Sequence, residues 1–154
     1  MEKRTIPTTW IIPCNYRIFN LPACFEKYGH TYWNQLYDFI PGDKAFIYAC
    51  RPYSAIRYSV EIEAADLPYD PIMDFKQQFY ENPDSEEWKK VNRFALFRMT
   101  GATRSTLLTL DYLKEHGLKS APRQSFKILQ PKFYELNEYI ELHFSQSHKE
   151  SDTL

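Results

Sequence analysis

The sequence predicts a mixed α+β fold, a small and strongly bent sheet or barrel of mostly antiparallel strands with helices packed around it. Three observations lead there. Stretches of strand composition do not alternate with helices as βαβ units, which argues against a parallel doubly wound sheet. Lys44-Ala-Phe-Ile-Tyr-Ala-Cys50 is a nearly continuous apolar run, the pattern of a strand buried on both faces. Ser54 to Ala65 instead alternates, with Ile56, Tyr58, Val60 and Ile62 on one side and Arg57, Ser59, Glu61 and Glu63 on the other. The two form an antiparallel hairpin with one wet face.

The elements follow in order. Thr9 to Pro13 is β-branched and aromatic and reads as a first strand. Asn20 caps a short helix, Leu21 to Tyr28, which tolerates Pro22 in its first turn and ends at Gly29. Trp33 then falls in a connection. Pro41-Gly42-Asp43 is a turn into the buried strand, and Arg51 to Ser54 turns the chain into the alternating one. Asp66 to Trp88 is acidic, holds Pro68, Pro71 and Pro83, and has room for one short helix around Ile72 to Tyr80. Arg93 to Met99 resumes strand composition. Thr100 or Thr103 opens a helix carrying Leu107, Leu108, Leu110 and Leu113, and Gly117 stops it. Phe126 to Leu129 is one more short strand. Pro131 begins a last amphipathic helix, with Phe133, Leu136, Tyr139, Ile140 and Phe144 at three- and four-residue spacing. Residues 1–154 form one domain with its core at about 9–144 and a frayed polar tail at 145–154.

A chain of 154 residues buries roughly 68–70% of its unfolded surface without staples. Cys14, Cys24 and Cys50 lack metal-ligand spacing and read as thiols in a reducing compartment. No apolar stretch is long enough for a signal or a membrane span, so a soluble, cytoplasmic protein without membrane contact is expected. No Gly-rich phosphate loop, zinc-protease pattern or nucleophile elbow is present. His30, His116, His143 and His148 are isolated, so no catalytic group, metal or cofactor is expected.

Net charge is −1, but it is segregated: +3 over residues 1–59, −8 over 60–88, +8 over 89–132 and −4 over 133–154. The basic block offers Arg93, Arg98, Arg104 and Arg123 as phosphate contacts, unless its acidic neighbour balances it. Aromatic residues are 17% of the chain, and many lie outside the apolar runs, among them Tyr16, Phe19, Trp33, Tyr37, Tyr53, Tyr69, Tyr80 and Trp88. Flat faces at loop edges suit flat ligands such as bases.

The order Trp10-Ile-Ile-Pro-Cys-Asn15, a short helix, Tyr32-Trp33-Asn34-Gln35, Gly42-Asp43-Lys-Ala-Phe-Ile-Tyr48 and a long strand Ile56 to Glu63 resembles the EVE domain of the PUA-like group, as do Gly117 to Pro122 and the closing helix. The resemblance covers residues 9–144. It implies a bent β-barrel whose mouth holds an aromatic cage for a flipped modified base, as in the related YTH readers of methylated adenine. On that resemblance Trp33 is a cage ring, with Tyr80 and Trp88 as further rings, Tyr16 beside them, and Asn15 and Asn34 reading the base edge. The implied partner is DNA or RNA carrying a modified base, or a free modified nucleotide. The function expected is therefore a non-enzymatic, modified-base-binding module. Two alternatives stand beside it: an amidohydrolase-type enzyme using groups such as Lys44, Thr100 and Glu61, and a protein-interaction domain using exposed rings.

Overall fold

A computed structural model describes residues 4–152, with side chains described as far as Ser145. Among the described residues six strands form one sheet: β1 (Thr9–Cys14), β2 (His30–Asn34), β3 (Lys44–Ala49), β4 (Ala55–Leu67), β5 (Phe94–Ala102) and β6 (Phe126–Lys127), in the order β2-β5-β4-β3-β1-β6. Only β1 and β3 run parallel; every other pairing is antiparallel. Helix α1 (Leu21–Tyr28) follows β1, α2 (Leu110–Glu115) follows β5, and α3 (Tyr134–Asp152) closes the chain.

The helix signals act as the residues dictate. Asn20 Oδ1 accepts from the Ala23 amide at 3.2 Å, and Gly29, at φ +72°, donates its amide to Phe25 O at 2.8 Å. Past β5 the order differs from the expected helix at Thr100 or Thr103, because the strand continues to Ala102. Ser105 Oγ then caps a single 3₁₀ turn, Thr106–Leu108, before α2. A 3₁₀ turn at Pro131–Phe133 leads into α3, which continues to Asp152 beyond the point where the sequence reads as a frayed tail.

β3 is buried on both faces, as its apolar run requires. Ala45 and Ile47 join Trp10, Ile12 and Cys14 of β1 with Leu21, Cys24 and Phe25 of α1. Phe46 and Tyr48 face the other way, against Leu108, Leu113, Leu136 and Ile140. The alternation read in β4 breaks once. Tyr58 pairs with Ile47 while Ile56 pairs with Tyr48, so Arg57 is the extra residue of a bulge. Ile56 therefore packs with α2 and α3, whereas Tyr58, Val60 and Ile62 face α1.

The sheet is curled. β1 and β5 lie three strands apart, about 14 Å in a flat sheet, yet Trp10 and Phe97 both touch the ring of Phe39, at centroid distances of 4.8 and 5.8 Å. It is not a closed barrel: the edge strands β2 and β6 do not pair with each other. β6 spans two residues and meets only Trp10 and Ile11, too little to carry the ladder round. Among the described residues no helix is long and apolar enough to cross a membrane, and Cys14, Cys24 and Cys50 are free thiols.

Candidate base-binding pocket

Trp33 lies in β2 and not in a connection. Its backbone is paired opposite Ala95, and its half-buried indole stacks on Phe97 at 5.3 Å and 14°. Beside it is a cavity of about 270 Å³ bounded by the end of β1 and the turn after it (Cys14, Asn15, Phe19), by β2 (Tyr32, Trp33, Asn34), and by Lys76 and Tyr80. The last two belong to the acidic excursion, where a 3₁₀ helix spans Pro71–Phe79. Phe19 ties the walls together, edge-on to Trp33 at 6.4 Å and tilted against Tyr80 at 4.8 Å. Ile18 and Leu36 stand exposed at the rim.

The floor is a lysine. Lys76 is 2% exposed, and its ammonium donates to Tyr32 O at 2.6 Å and Asn34 Oδ1 at 3.3 Å. Four rings surround it: Trp88 at 4.5 Å, Tyr80 and Phe94 at 5.4 Å, and Phe19 at 5.8 Å. Desolvation pushes its proton affinity down to about 7, with Cys24 pulling the other way, and the ring faces also favour the cation. The sequence does carry a signal for it: the only cation in residues 60–88, three positions from Met73, which is buried too. Positions i and i+3 share one side of a 3₁₀ helix.

The shift makes a prediction. From about pH 7 up to the ordinary lysine value of 10.5 the folded protein binds fewer protons than the unfolded chain, so stability rises with pH across that span. The thermal midpoint of the wild type is expected to climb from pH 7 to 8.5, and the climb to shrink in Lys76→Met. The window stops there because Cys14, Cys24, Tyr16 and Tyr80 have raised values, all through desolvation, and their stabilisation is lost at higher pH.

No family model and no curated protein matches the chain. Solved structures do. An ASCH protein from Zymomonas mobilis aligns with a TM-score of 0.58 at 16% identity, over 85% of this chain and 94% of its own. A hypothetical protein from Leishmania major gives 0.53 at 16% identity, over 90% and 98%. Human THYN1, solved in complex with DNA containing 5-methylcytosine, gives 0.53 at 15% identity, over 86% and 97%. The chain shares the fold of these structures. At these identities the likeness concerns the fold alone.

Within this fold the candidate residues divide. Trp33, Asn34, Asn15 and Tyr80 border one cavity. Trp88 does not border it: it is 5% exposed, stacked behind Tyr80 at 6.0 Å and 11°, with its indole N–H donated to Gln77. Tyr16 sits in a separate open groove of about 860 Å³ with Tyr53, Tyr58, Arg57 and Arg104, its ring 5.2 Å from Tyr53.

The four arginines are not gathered on one site. Arg93 pairs with Asp66 at 2.8 Å, and Arg98 with Glu61 and Glu63. Arg123 lies in a distant surface hollow near Phe133, and Arg104 is exposed on the Tyr16 groove. Lys89 meets Glu86 at 2.9 Å and Asp74 at 3.5 Å, and Lys90 meets Glu87 at 2.9 Å. Four of the block's ten basic residues, Lys89, Lys90, Arg93 and Arg98, are thus balanced by its acidic neighbour.

Lys44, Glu61 and Thr100 do share a cleft, of about 470 Å³, but it is not the aromatic pocket. There Lys44 is held by Glu141 at 2.9 Å, Glu61 by Arg98, and Thr100 Oγ1 by Ser59 Oγ at 2.8 Å. The aromatic pocket has one amine, Lys76, with the groups of Cys14, Tyr32 and Tyr80, and no carboxylate on its walls among the described residues. Burial raises the proton affinity of the Cys14 thiol and of the Tyr32 and Tyr80 phenols, which keeps all three in the neutral form.

Proposed function

We propose that this chain is a non-enzymatic nucleic-acid-binding module that takes one unstacked, modified base into the pocket beside Trp33. The observation that carries the reading is the convergence in one concavity of aromatic walls and a few polar groups, Asn15, Asn34 and Lys76, the composition of a small-ligand site. A volume of about 270 Å³ suits a single base more than a dinucleotide, since pockets for drug-sized ligands run to about 300–1,000 Å³. The fold shared with THYN1, solved with methylated DNA, supports the same reading. Leu36 and Ile18 at the rim are placed to cover the gap a flipped base leaves in its stack. Arg93 and Arg98 are taken by carboxylates and Arg104 and Arg123 line other hollows, so these four give the pocket few phosphate contacts and a single strand or a free nucleotide is a more natural ligand than a long duplex.

Rings that converge in a concavity favour a ligand pocket over a convex protein-docking patch. The test is a titration with short oligonucleotides carrying 5-methylcytosine or N6-methyladenine beside unmodified controls. Preference for a modified base is expected; equal, weak binding to all removes the reading. Trp33→Ala is expected to lose about 1–3 kcal/mol of affinity, the value of one base stacked on a ring, and to stay folded because its place in β2 rests on backbone pairing. Unchanged affinity in a folded Trp33→Ala protein contradicts the site.

A further inference from the structure

We infer that the open groove formed by Tyr16, Tyr53, Arg57 and Arg104 holds the nucleotide that adjoins the flipped base, with Tyr53 under its base and the two arginines on its phosphates. This rests on the base-binding reading above and gives the strand a path that the pocket by itself lacks.

The groove and the pocket open at the same end of the sheet. β1 and β3 run parallel, so their carboxyl ends, Cys14 and Ala49, lie side by side, and the Cys50 amide donates to Cys14 O at 3.0 Å. The turn after β1 supplies Asn15 to the pocket and Tyr16 to the groove, residues whose Cα atoms are ~3.8 Å apart. The turn after β3 supplies Tyr53, whose ring lies 5.2 Å from that of Tyr16. A strand that leaves one base beside Trp33 meets these rings with its next nucleotide.

The β4–β5 pairing brings the two arginines to this groove. Arg57 is the extra residue of the bulge, its carbonyl accepts from the Thr103 amide at 2.9 Å, and Tyr58 pairs with Ala102. A bulge re-aims a side chain that regular pairing would direct elsewhere. Among the described residues neither Arg57 nor Arg104 is in an ion pair, in contrast to Arg93 and Arg98. The groove also has no carboxylate on its walls among the described residues; Glu26 of α1 reaches Tyr58 by its charge from outside that lining. Guanidinium groups with no carboxylate to hold them are matched by phosphate oxygens.

The tyrosines supply the rest of the site. Tyr53 is 49% exposed, so its face is open to a base, while Tyr16 beside it is half-buried and its hydroxyl is buried without a hydrogen-bond partner. Burial raises the proton affinity of the Tyr16 phenol against the pull of Arg57, so the group stays a donor. A donor left without a partner beside unpaired guanidinium groups is explained by an acceptor on a ligand. Rings take any base by its face and guanidinium groups take any phosphate, so the groove adds affinity without reading sequence.

The experiment titrates wild type, Arg57→Gln, Arg104→Gln and Tyr53→Ala with a short single strand carrying one central 5-methylcytosine or N6-methyladenine, with its unmodified control, and with the matching free nucleosides, which have no phosphate and no neighbour. Salt is varied, and thermal midpoints are recorded for each protein. Each phosphate contact on a single strand contributes a slope of about −0.7 in log affinity against log salt, so two contacts give the wild type about −1.4. Each arginine variant is expected to lose about 0.7 of that slope. Tyr53→Ala is expected to lose about fivefold or more in strand affinity at an unchanged slope. Nucleoside affinity is expected to stay at the wild-type value in all three. Strand affinity and slope kept in the three folded variants overturn the inference, as does a strand bound no tighter than its nucleoside, and either result leaves the base-binding reading in place. Modified and unmodified strands bound alike, with the same losses in the variants, keep the strand on the groove and overturn the modified-base reading. Binding of no strand overturns both. Where nucleoside binding is too weak to measure, the strand comparison decides, and if one variant does not fold, the other two decide.

Discussion

Asp43→Ala is expected to lose about 3–5 kcal/mol of stability, the range for removing one partner of a buried ion pair. A domain of this size holds about 5–15 kcal/mol in all, so the variant stands close to unfolding at room temperature. The Asp43 side chain is fully buried in the turn before β3, where it accepts from both terminal nitrogens of Arg4 at 2.7 and 2.6 Å. It also accepts from the amides of Thr8 and Ile40 at 2.8 and 3.1 Å, and from the indole of Trp10 at 2.9 Å. One carboxylate thus joins the lead into β1, the loop before β3 and the buried Trp10. Alanine leaves the Trp10 N–H orphaned in the core.

The same carboxylate sets an acid limit. Desolvation raises its proton affinity, but the bonds from Arg4, Thr8, Trp10 and Ile40 outweigh this and leave it below the ordinary value of 3.8. Its stabilisation is therefore complete above about pH 4 and fades as the pH falls through the depressed value. Urea midpoints at pH 7 and pH 3 check both points. The gap between wild type and Asp43→Ala should be large at pH 7 and smaller at pH 3; a gap below 1 kcal/mol at pH 7 refutes the role.

Trp88→Ala is expected to lower the thermal midpoint by roughly 6–20 °C, from a loss of about 3–5 kcal/mol for a buried Trp and about 2–4 °C per kcal/mol. Trp88 fills the space between Met73, Phe94 and Tyr80, and its ring covers the Lys76 ammonium. Removing it opens a cavity and lets water reach the lysine. Any loss of ligand affinity in this variant should therefore come with a large loss of midpoint, whereas Trp33→Ala loses affinity with a smaller one. Calorimetry and titration on the two proteins separate the roles. Equal midpoints for both contradict the assignment of Trp88 to the core.

What the sequence determined by itself is what neighbouring residues decide. Asn20, Pro22 and Gly29 bound α1 because a cap, a tolerated first-turn proline and a left-handed stop act within one or two turns of backbone. The run from Lys44 and the spacing from Phe133 to Phe144 mark a two-sided strand and an amphipathic helix by the same local arithmetic. The fold class follows from the order of such segments. Trp33 reads as part of a connection because His30–Asn34 has no alternation of its own; it is in a strand because β5, some sixty residues later, supplies its hydrogen bonds. The bulge at Arg57, which turns Ile56 to the other face, is likewise a property of the β3–β4 pairing. Only the tertiary structure could show that Asn15, Trp33, Asn34 and Tyr80 border one cavity while Tyr16 and Trp88 do not, since ring-bearing loops look alike until they are packed. It alone put Lys76 beneath them, because burial of a charge depends on rings and carbonyls brought from β2, β5 and the turn after β1, none of them adjacent to it in the chain.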